Sequence, residues 1–117
     1  MDDKYGDRRF DTRAVWSGTQ NIEGSVNTPA FLASTYRLTD DRYKEWAARG
    51  GHHTLLYSRY SSVNSEAVSA KVASLEGAED GETFASGMAA ISSTLFSILS
   101  QGDHMVSSAD VYGGTYG

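Results

Sequence analysis

Cysteine is absent from the sequence, which excludes disulfides, thiolate catalysis and cysteine-ligated zinc sites and agrees with a reducing compartment. There is also no run of about 18 apolar residues, as a membrane helix needs. The charged start "MDDKYGDRRFDTRAVW" lacks the apolar segment of a signal peptide. The sequence therefore predicts neither a membrane span nor a leader, and the expected location is the cytoplasm.

Basic clusters and several familiar motifs are missing too. Ten Lys and Arg stand against 15 Asp and Glu, a net charge of −5, so nucleic acid and anionic membranes are not expected partners. The patterns GxxxxGK[ST], GxGxxG and GxSxG do not occur, which excludes the usual phosphate-loop, dinucleotide and hydrolase signatures. His52 and His53 are adjacent rather than spaced as metal ligands, so no metal is expected.

The first half of the sequence predicts an arm followed by a short helix. Residues 1–35 have little periodicity and contain the single proline, so they read as an extended arm. Thr39 or Asp40 can cap a helix over residues 40–49, which begins with acids and ends with Arg49 before two glycines. These are helix start and stop signals in the correct order.

A second helix is expected over residues 65–76. Val68, Val72 and Leu75 recur at the spacing of one helix face, which predicts an amphipathic helix. Asn64 or Ser65 is the expected cap. Gly77 is the expected terminator, because glycine readily adopts the left-handed conformation that ends helices.

The stretch from residue 82 onward predicts a βαβ unit. It comprises a strand at 82–85, an apolar helix at about 87–100 with Gly102 as its C-cap, and a strand at 104–107. The order implies a parallel sheet, but two strands are too few for a sheet covered on both faces. The chain therefore reads as unfinished, with "YGGTYG" as a loop leading towards another helix.

The turn at Ser86 and Gly87 is a candidate anion site. Amide groups at a helix start point outward unpaired, and the helix dipole adds positive character there. Gly87 permits close approach of a ligand, and the Ser86 hydroxyl can bind a phosphate oxygen or cap the helix. The alternative is that Ser86 only caps the helix and Gly87 only turns the chain.

Three further residues carry aromatic or charged groups that could bind an anion or a flat ligand. Tyr57 and Arg59 would project to one face of an extended backbone and could hold one anion together. The alternative is an exposed tyrosine beside an arginine that pairs with a surface acid. Tyr112 can stack on a flat ligand, or simply pack on its neighbours.

Three stretches taken together resemble the Cys/Met-metabolism family of pyridoxal 5′-phosphate enzymes. They are "YSRYSSVNSEAVSAKVASLEG", "ETFASGMAAI" and "GDHMVSSADVYGGTYG", and the likeness runs from about residue 12 to residue 117. The family includes cystathionine γ-synthase, the cystathionine lyases, methionine γ-lyase and the O-acylhomoserine sulfhydrylases. One departure is Ser61-Ser62-Val63-Asn64, which stands where members usually read Gly-Asn-Pro-Thr.

The resemblance implies an α/β architecture. Residues 1–56 would form an N-terminal arm and short helix at a subunit interface. Residues 57–117 would begin the large cofactor-binding domain, a doubly wound and mostly parallel sheet of the type I aminotransferase-like fold. The family also implies a homotetramer built as a dimer of dimers.

The resemblance also implies roles for individual residues. Tyr57 and Arg59 match a pair that reaches the cofactor phosphate of a neighbouring subunit. Gly87 and Met88 match backbone amides that bind the phosphate within their own subunit. Tyr112 matches a catalytic tyrosine that stacks on the pyridine ring and assists proton transfer.

The implied activity is that of a pyridoxal-phosphate carbon–sulfur lyase or γ-replacement enzyme of transsulfuration. Its substrate would be a sulfur-containing or O-acylated amino acid, with γ-chemistry favoured over β-elimination. The Schiff-base lysine of the family would lie beyond residue 117, so residues 1–117 alone are expected to be inactive. The alternatives are a non-catalytic, truncated paralogue that acts as an assembly or binding module, and a small stand-alone phosphate-binding domain.

Overall fold

The computed structural model of the chain describes residues 5–49 and 54–116, which belong to two compact units, Met1–Thr83 and Phe84–Gly117. Helices are the main regular elements of these described residues. In chain order they are α1 (Phe10–Trp16), a 3-10 turn (Ile22–Gly24), α2 (Asp40–Arg49), α3 (Val63–Glu76), α4 (Gly87–Ile98) and α5 (Gly113–Tyr116).

The N-terminal segment contains a helix, so the prediction of a wholly extended arm over residues 1–35 is wrong. α1 follows Arg9, whose side chain makes no capping hydrogen bond. Seven residues are too few for a helix that is stable by itself in water. α1 therefore depends on its packing against α3, which local sequence patterns do not reveal.

A capping box starts α3 two residues earlier than predicted. Ser62 Oγ accepts a hydrogen bond from the Ser65 amide, and Ser65 Oγ accepts one from the Ser62 amide, each at 3.1 Å. Neither Asn64 nor Ser65 is the cap. Asn64 Oδ1 instead accepts a hydrogen bond from the Phe31 amide over 2.8 Å, and Asn64 Nδ2 donates to the Pro29 carbonyl over 3.0 Å. Gly77 ends the helix as predicted, with a left-handed φ of 69°.

The contact between α1 and α3 is made of small side chains. Val63 and Ala73 are the buried apolar residues of the described chain, and Ser17 and Ser74 are buried as well. Ser74 Oγ lies 3.0 Å from Ser17 Oγ in a buried hydrogen bond. Small residues let the two backbones approach closely, while the hydroxyls satisfy each other.

Gly18 is the point of closest approach to α3. Its φ is 70°, in the left-handed region, and a Cβ built on it would overlap the Ala67 carbonyl oxygen and lie 2.8 Å from the Lys71 amide nitrogen. The position therefore requires glycine for two reasons, the backbone conformation and the missing side chain.

Each of these two helices supplies a cation to the carbonyl end of the other. Arg13 of α1 donates from Nη1 to the Ser74 carbonyl over 2.6 Å. Lys71 of α3 donates from Nζ to the carbonyls of Ala14 and Val15, over 3.0 and 2.8 Å. The last carbonyls of a helix have no partner within it and carry partial negative charge, so both exchanges stabilise the pair.

The apolar stripe of α3 is not its buried face. Val68 and Val72 are 53% and 52% exposed, and with Leu75 they line a groove of about 500 Å³ beside Val15 and Gly18. The buried face of α3 carries small residues instead. Periodicity thus predicted the helix, although tertiary packing selected a different face for burial.

α2 spans the residues predicted for it. Its first turn holds two acids and its last turn holds Arg49, which suits the helix dipole. Arg42 donates from Nη1 to the Leu55 carbonyl over 3.3 Å and lies 5.9 Å from the centre of the Tyr36 ring. This arginine connects α2 to the segments on either side of it.

In the second unit, the predicted apolar helix is present but ends sooner. α4 stops at Ile98, and the extended residue Leu99 is its C-cap. Gly102 is therefore not the cap; with a φ of 100° it belongs to the next turn, where the Asp103 amide donates to the Ser100 carbonyl over 3.0 Å.

The strands predicted at 82–85 and 104–107 are not formed. A strand persists when a neighbouring strand takes up its N–H and C=O groups, and neither segment has such a neighbour among the described residues. Several large apolar side chains of this unit stay open to solvent, with Val106 98% and Phe96 84% exposed.

Gly18→Ala is expected to lower the free energy of unfolding by about 2 kcal/mol, because the methyl group meets the α3 backbone in a strained conformation. Urea denaturation followed by circular dichroism measures the loss. Gly24→Ala is the matched control, since Gly24 has a similar φ of 79° but no atom within 4 Å of its Cβ position. Equal losses in the two variants would contradict the close contact with α3.

Lys71→Met is expected to accelerate amide hydrogen exchange in α1 by about fivefold, because two terminal carbonyls lose a charged partner while the aliphatic stem remains. Lys44→Met is the control: Lys44 is 78% exposed and lies 3.9 Å from Asp41, an ion pair that contributes little. Unchanged exchange in Lys71→Met would show that the cation does not hold α1.

Candidate functional site

The start of α4 is shaped by Ser86. Its backbone is extended, with φ −156° and ψ 159°, and its Oγ accepts a hydrogen bond from the Ala89 amide over 3.1 Å. The Ala90 amide donates to the Ser86 carbonyl, also over 3.1 Å. Ser86 is therefore the N-cap, and its hydroxyl hydrogen stays available as a donor.

Two amides at this helix start keep their hydrogen-bonding capacity. Within the described residues, the N–H groups of Gly87 and Met88 donate to no acceptor. Gly87 is exposed, and a Cβ built on it would meet nothing within 4 Å. The positive end of the helix dipole adds to these donors, so the geometry suits an anionic group.

Tyr112 lies in the turn that leads into α5, which contacts α4 within the same unit. The Thr115 amide donates to the Tyr112 carbonyl over 2.8 Å, and Thr115 Oγ1 donates to Met88 Sδ over 3.5 Å. The Tyr112 side chain lies against Gly114, where a Cβ would come within 2.6 Å of Cε1. The residue is still 72% exposed, so its ring is open to a ligand.

Tyr57 and Arg59 meet in the first unit, although not as an extended segment. Residues 58–60 form a turn, closed by a 2.9 Å hydrogen bond from the Tyr60 amide to the Tyr57 carbonyl. The Arg59 guanidinium lies 4.8 Å from the Tyr57 ring centre and 5.3 Å from that of Tyr60. The same-face argument from extended backbone was therefore wrong, since cation–π contact brings the groups together.

Arg59 has no acidic partner among the described residues, which leaves its guanidinium donors for another anion. The contact between Arg59 and Tyr60 was not predicted from the sequence, because it arises from the turn. The one sequence feature that pointed to it was the i, i+3 spacing of Tyr57 and Tyr60. An arginine held over aromatic rings keeps its charge and loses little freedom when it binds an anion.

Short antiparallel pairing fixes this turn in the first unit. Thr35 and Tyr57 form a bridge, flanked by hydrogen bonds from Tyr36 to Leu56 over 3.0 Å and from Ser58 to Ser34 over 2.8 Å. Residues 34–36 therefore hold the start of the turn in place.

The departure Ser61-Ser62-Val63-Asn64 forms a stable helix start after the turn. The Ser61 amide donates to the Tyr57 carbonyl over 3.2 Å, and its hydroxyl donates to Glu66. Ser62 occupies the N-cap, a position that asparagine fills equally well, and Val63 occupies the first helical position, where proline is common. The residues present here are therefore compatible with a helix start.

No cluster of three His, Asp or Glu side chains suited to a metal ion occurs in residues 5–49 and 54–116, and His52 and His53 lie outside this described part. None of the helices in the same ranges has the length and apolar character to cross a bilayer.

Comparison with known proteins identifies the family of the chain. Residues 11–117 match the family model described as Cys/Met metabolism PLP-dependent enzyme. The chain belongs to this family. Its members use pyridoxal 5′-phosphate and have the type I fold of such enzymes, so the resemblance and the cofactor expected from the sequence are confirmed.

Individual relatives cover nearly the whole chain. It is 30% identical to an L-methionine gamma-lyase of Pseudomonas deceptionensis over 99% of its length, and 39% identical to a cystathionine beta-lyase of Coxiella burnetii over 92%. A probable cystathionine gamma-synthase of Herpetosiphon aurantiacus is 40% identical over 94%. The chain spans 30%, 26% and 32% of these three relatives, respectively.

Proposed function

We propose that the complete polypeptide carrying this chain is a pyridoxal-phosphate-dependent carbon–sulfur lyase or γ-replacement enzyme of methionine and cysteine metabolism. Family membership supports the reaction class. The observation that carries the proposal for this chain is the pair of unpartnered amides at Gly87 and Met88. They would hold the cofactor phosphate within their own subunit.

The donors at the start of α4 match a phosphate group chemically. Gly87 and Met88 each offer an N–H, the Ser86 hydroxyl retains its hydrogen, and no side chain blocks the approach to Gly87. Backbone donors keep their positions without any cost of ordering a long side chain. An anion bound there also gains from the helix dipole.

Tyr112 would lie against the cofactor ring and carry out the catalytic proton transfer. The bound cofactor supplies the electron withdrawal that stabilises an amino-acid carbanion, so the protein must orient groups and move protons. An exposed phenol on a turn linked to Met88 can present both its ring face and its hydroxyl. We therefore assign Tyr112 both stacking and proton transfer at the γ-substituent of the substrate.

Tyr57 and Arg59 would bind the cofactor phosphate of a neighbouring subunit in a dimer of dimers. This role is supported by the cation–π contact between Arg59 and Tyr57 and by the absence of an acidic partner for Arg59 among the described residues. A guanidinium gives charge-assisted hydrogen bonds to phosphate, which are about twice as strong as neutral ones. This contribution would make the active site depend on assembly.

Residues 57–117 would begin the large domain, in which segments 82–85 and 104–107 join a parallel sheet. The exposure of Val106 supports this, since a neighbouring strand or helix would cover its side chain.

Neither described lysine suits covalent attachment of the cofactor, since Lys71 binds α1 carbonyls and Lys44 lies exposed on α2. Residues 1–117 alone would then be inactive.

The substrate would be a sulfur-containing or O-acylated amino acid that reacts at its γ-carbon. The gamma-lyase and the gamma-synthase among the relatives support γ-chemistry, although the cystathionine beta-lyase is 39% identical against 40% for the gamma-synthase. Parallel assays of the complete polypeptide with methionine, cystathionine and O-acetylhomoserine would separate these reactions.

Gly87→Pro tests the phosphate site by deleting one N–H. Proline is tolerated at the first helical position, and the extended Ser86 backbone suits a residue that precedes proline. Binding of pyridoxine 5′-phosphate to the cofactor-free complete polypeptide is expected to weaken by about 2 kcal/mol, or about 30-fold. Isothermal titration calorimetry measures the change.

Gly87→Ala is the comparison variant, because it keeps the amide hydrogen and its methyl group enters open space. We expect it to bind the probe more tightly than Gly87→Pro. Equal affinity of the proline variant and the wild type, with α4 intact by circular dichroism, would show that this amide does not bind the phosphate.

Mixing Arg59→Ala and Gly87→Pro subunits tests whether Arg59 acts across an interface. Each mixed dimer would then contain one site with both groups intact and one site with neither. Random reassociation is expected to restore about a quarter of wild-type activity. If Arg59 acts within its own subunit, both sites of every mixed dimer carry a defect and activity is not recovered.

A further inference from the structure

Thr115 connects the turn of Tyr112 to the start of α4. Its hydroxyl donates to Met88 Sδ over 3.5 Å, a part-buried contact between residues 27 positions apart. Sulfur is a weak hydrogen-bond acceptor, so this contact contributes little energy by itself. Its effect is to keep the Tyr112 turn at a fixed distance from the start of α4. Thr115 is half-buried, unlike the exposed residues on either side of it.

The position of Tyr112 follows that of Thr115. The Thr115 amide donates to the Tyr112 carbonyl over 2.8 Å, which closes the turn between them. Inside this turn the Tyr112 side chain packs on Gly114, where a Cβ would lie 2.6 Å from Cε1. Displacement of Thr115 would therefore displace the tyrosine ring as well.

Met88 belongs to the start of α4 and also contacts the turn of Tyr112. Its amide is one of the two unpartnered donors at the helix start, and its sulfur accepts the Thr115 hydroxyl. The same residue thus faces the proposed phosphate with its backbone and the turn of Tyr112 with its side chain.

We propose that Thr115 is a positioning residue, whose hydroxyl holds the Tyr112 turn against the phosphate-binding start of α4. The separation between the phenol ring and the phosphate donors is thereby held constant, so that one ligand with a ring and a phosphate can engage both. This role rests on the proposed function, because it needs a ligand that engages both places. Thr115 itself touches neither the ring nor the phosphate.

Thr115→Val tests this role, since valine has the shape of threonine without the hydroxyl. The probe is pyridoxine 5′-phosphate, titrated calorimetrically into the cofactor-free complete polypeptide. We expect its dissociation constant to rise about fivefold, while inorganic phosphate binds as tightly as in the wild type. Thr115→Ser, which retains the hydroxyl, is expected to restore the affinity for the probe.

Thr94→Val is the matched control. Its hydroxyl donates to the Ala90 carbonyl inside α4 over 2.8 Å, and loss of that bond should leave probe binding unchanged. If Thr115→Val does not fold, as judged by circular dichroism, Met88→Leu provides the same test by removing the sulfur acceptor. The hydroxyl and the sulfur should not contribute independently, so the double variant should bind the probe as weakly as each single one.

A Tyr112→Ala background separates positioning from general stabilisation. Without the tyrosine ring, Thr115→Val should cause no further loss of affinity for the probe. Two results would overturn the proposal: an equal loss in Thr94→Val and Thr115→Val, or an equal weakening of inorganic phosphate and the probe. A wild-type polypeptide that does not bind pyridoxine 5′-phosphate would instead contradict the proposed function.

Discussion

The ends of α-helices present backbone groups that the helix itself cannot pair, and the way each end is satisfied organises this chain. At the start of α3, Ser62 and Ser65 pair with each other's amides. At the carbonyl ends of α1 and α3, cations from the opposite helix donate to carbonyls of the last turn. The short helix α1 persists through these contacts and through the close approach at Gly18.

The start of α4 is satisfied only in part, and the proposed function depends on this difference. Ser86 takes up one amide, whereas those of Gly87 and Met88 have no acceptor among the described residues. In a family that uses pyridoxal 5′-phosphate, such donors would anchor the phosphate in the proposed function, without any acid, base or metal ligand. The chemistry of this segment would therefore depend on backbone geometry, supported by the Tyr112 turn.

Local signals predicted α2, α3 and α4, but they missed α1 and predicted two strands that are not formed. The acids before α2 and Gly77 after α3 mark those boundaries because capping and dipole effects act within one turn. Segments 82–85 and 104–107 have strand-like composition but no pairing partner in the described chain. A strand needs hydrogen bonds from residues distant in sequence, so composition alone does not make one.

The sequence by itself determined the family, the cofactor class and the turn at Ser86 and Gly87, because these depend on residue order and local backbone preference. Only the tertiary structure decided which face of α3 is buried, since close packing against α1 favoured small side chains over the valine stripe. It also decided the contact of Thr115 with Met88 and of Arg59 with two rings. Such contacts depend on how turns bring side chains together in space, which hydrophobic periodicity does not encode.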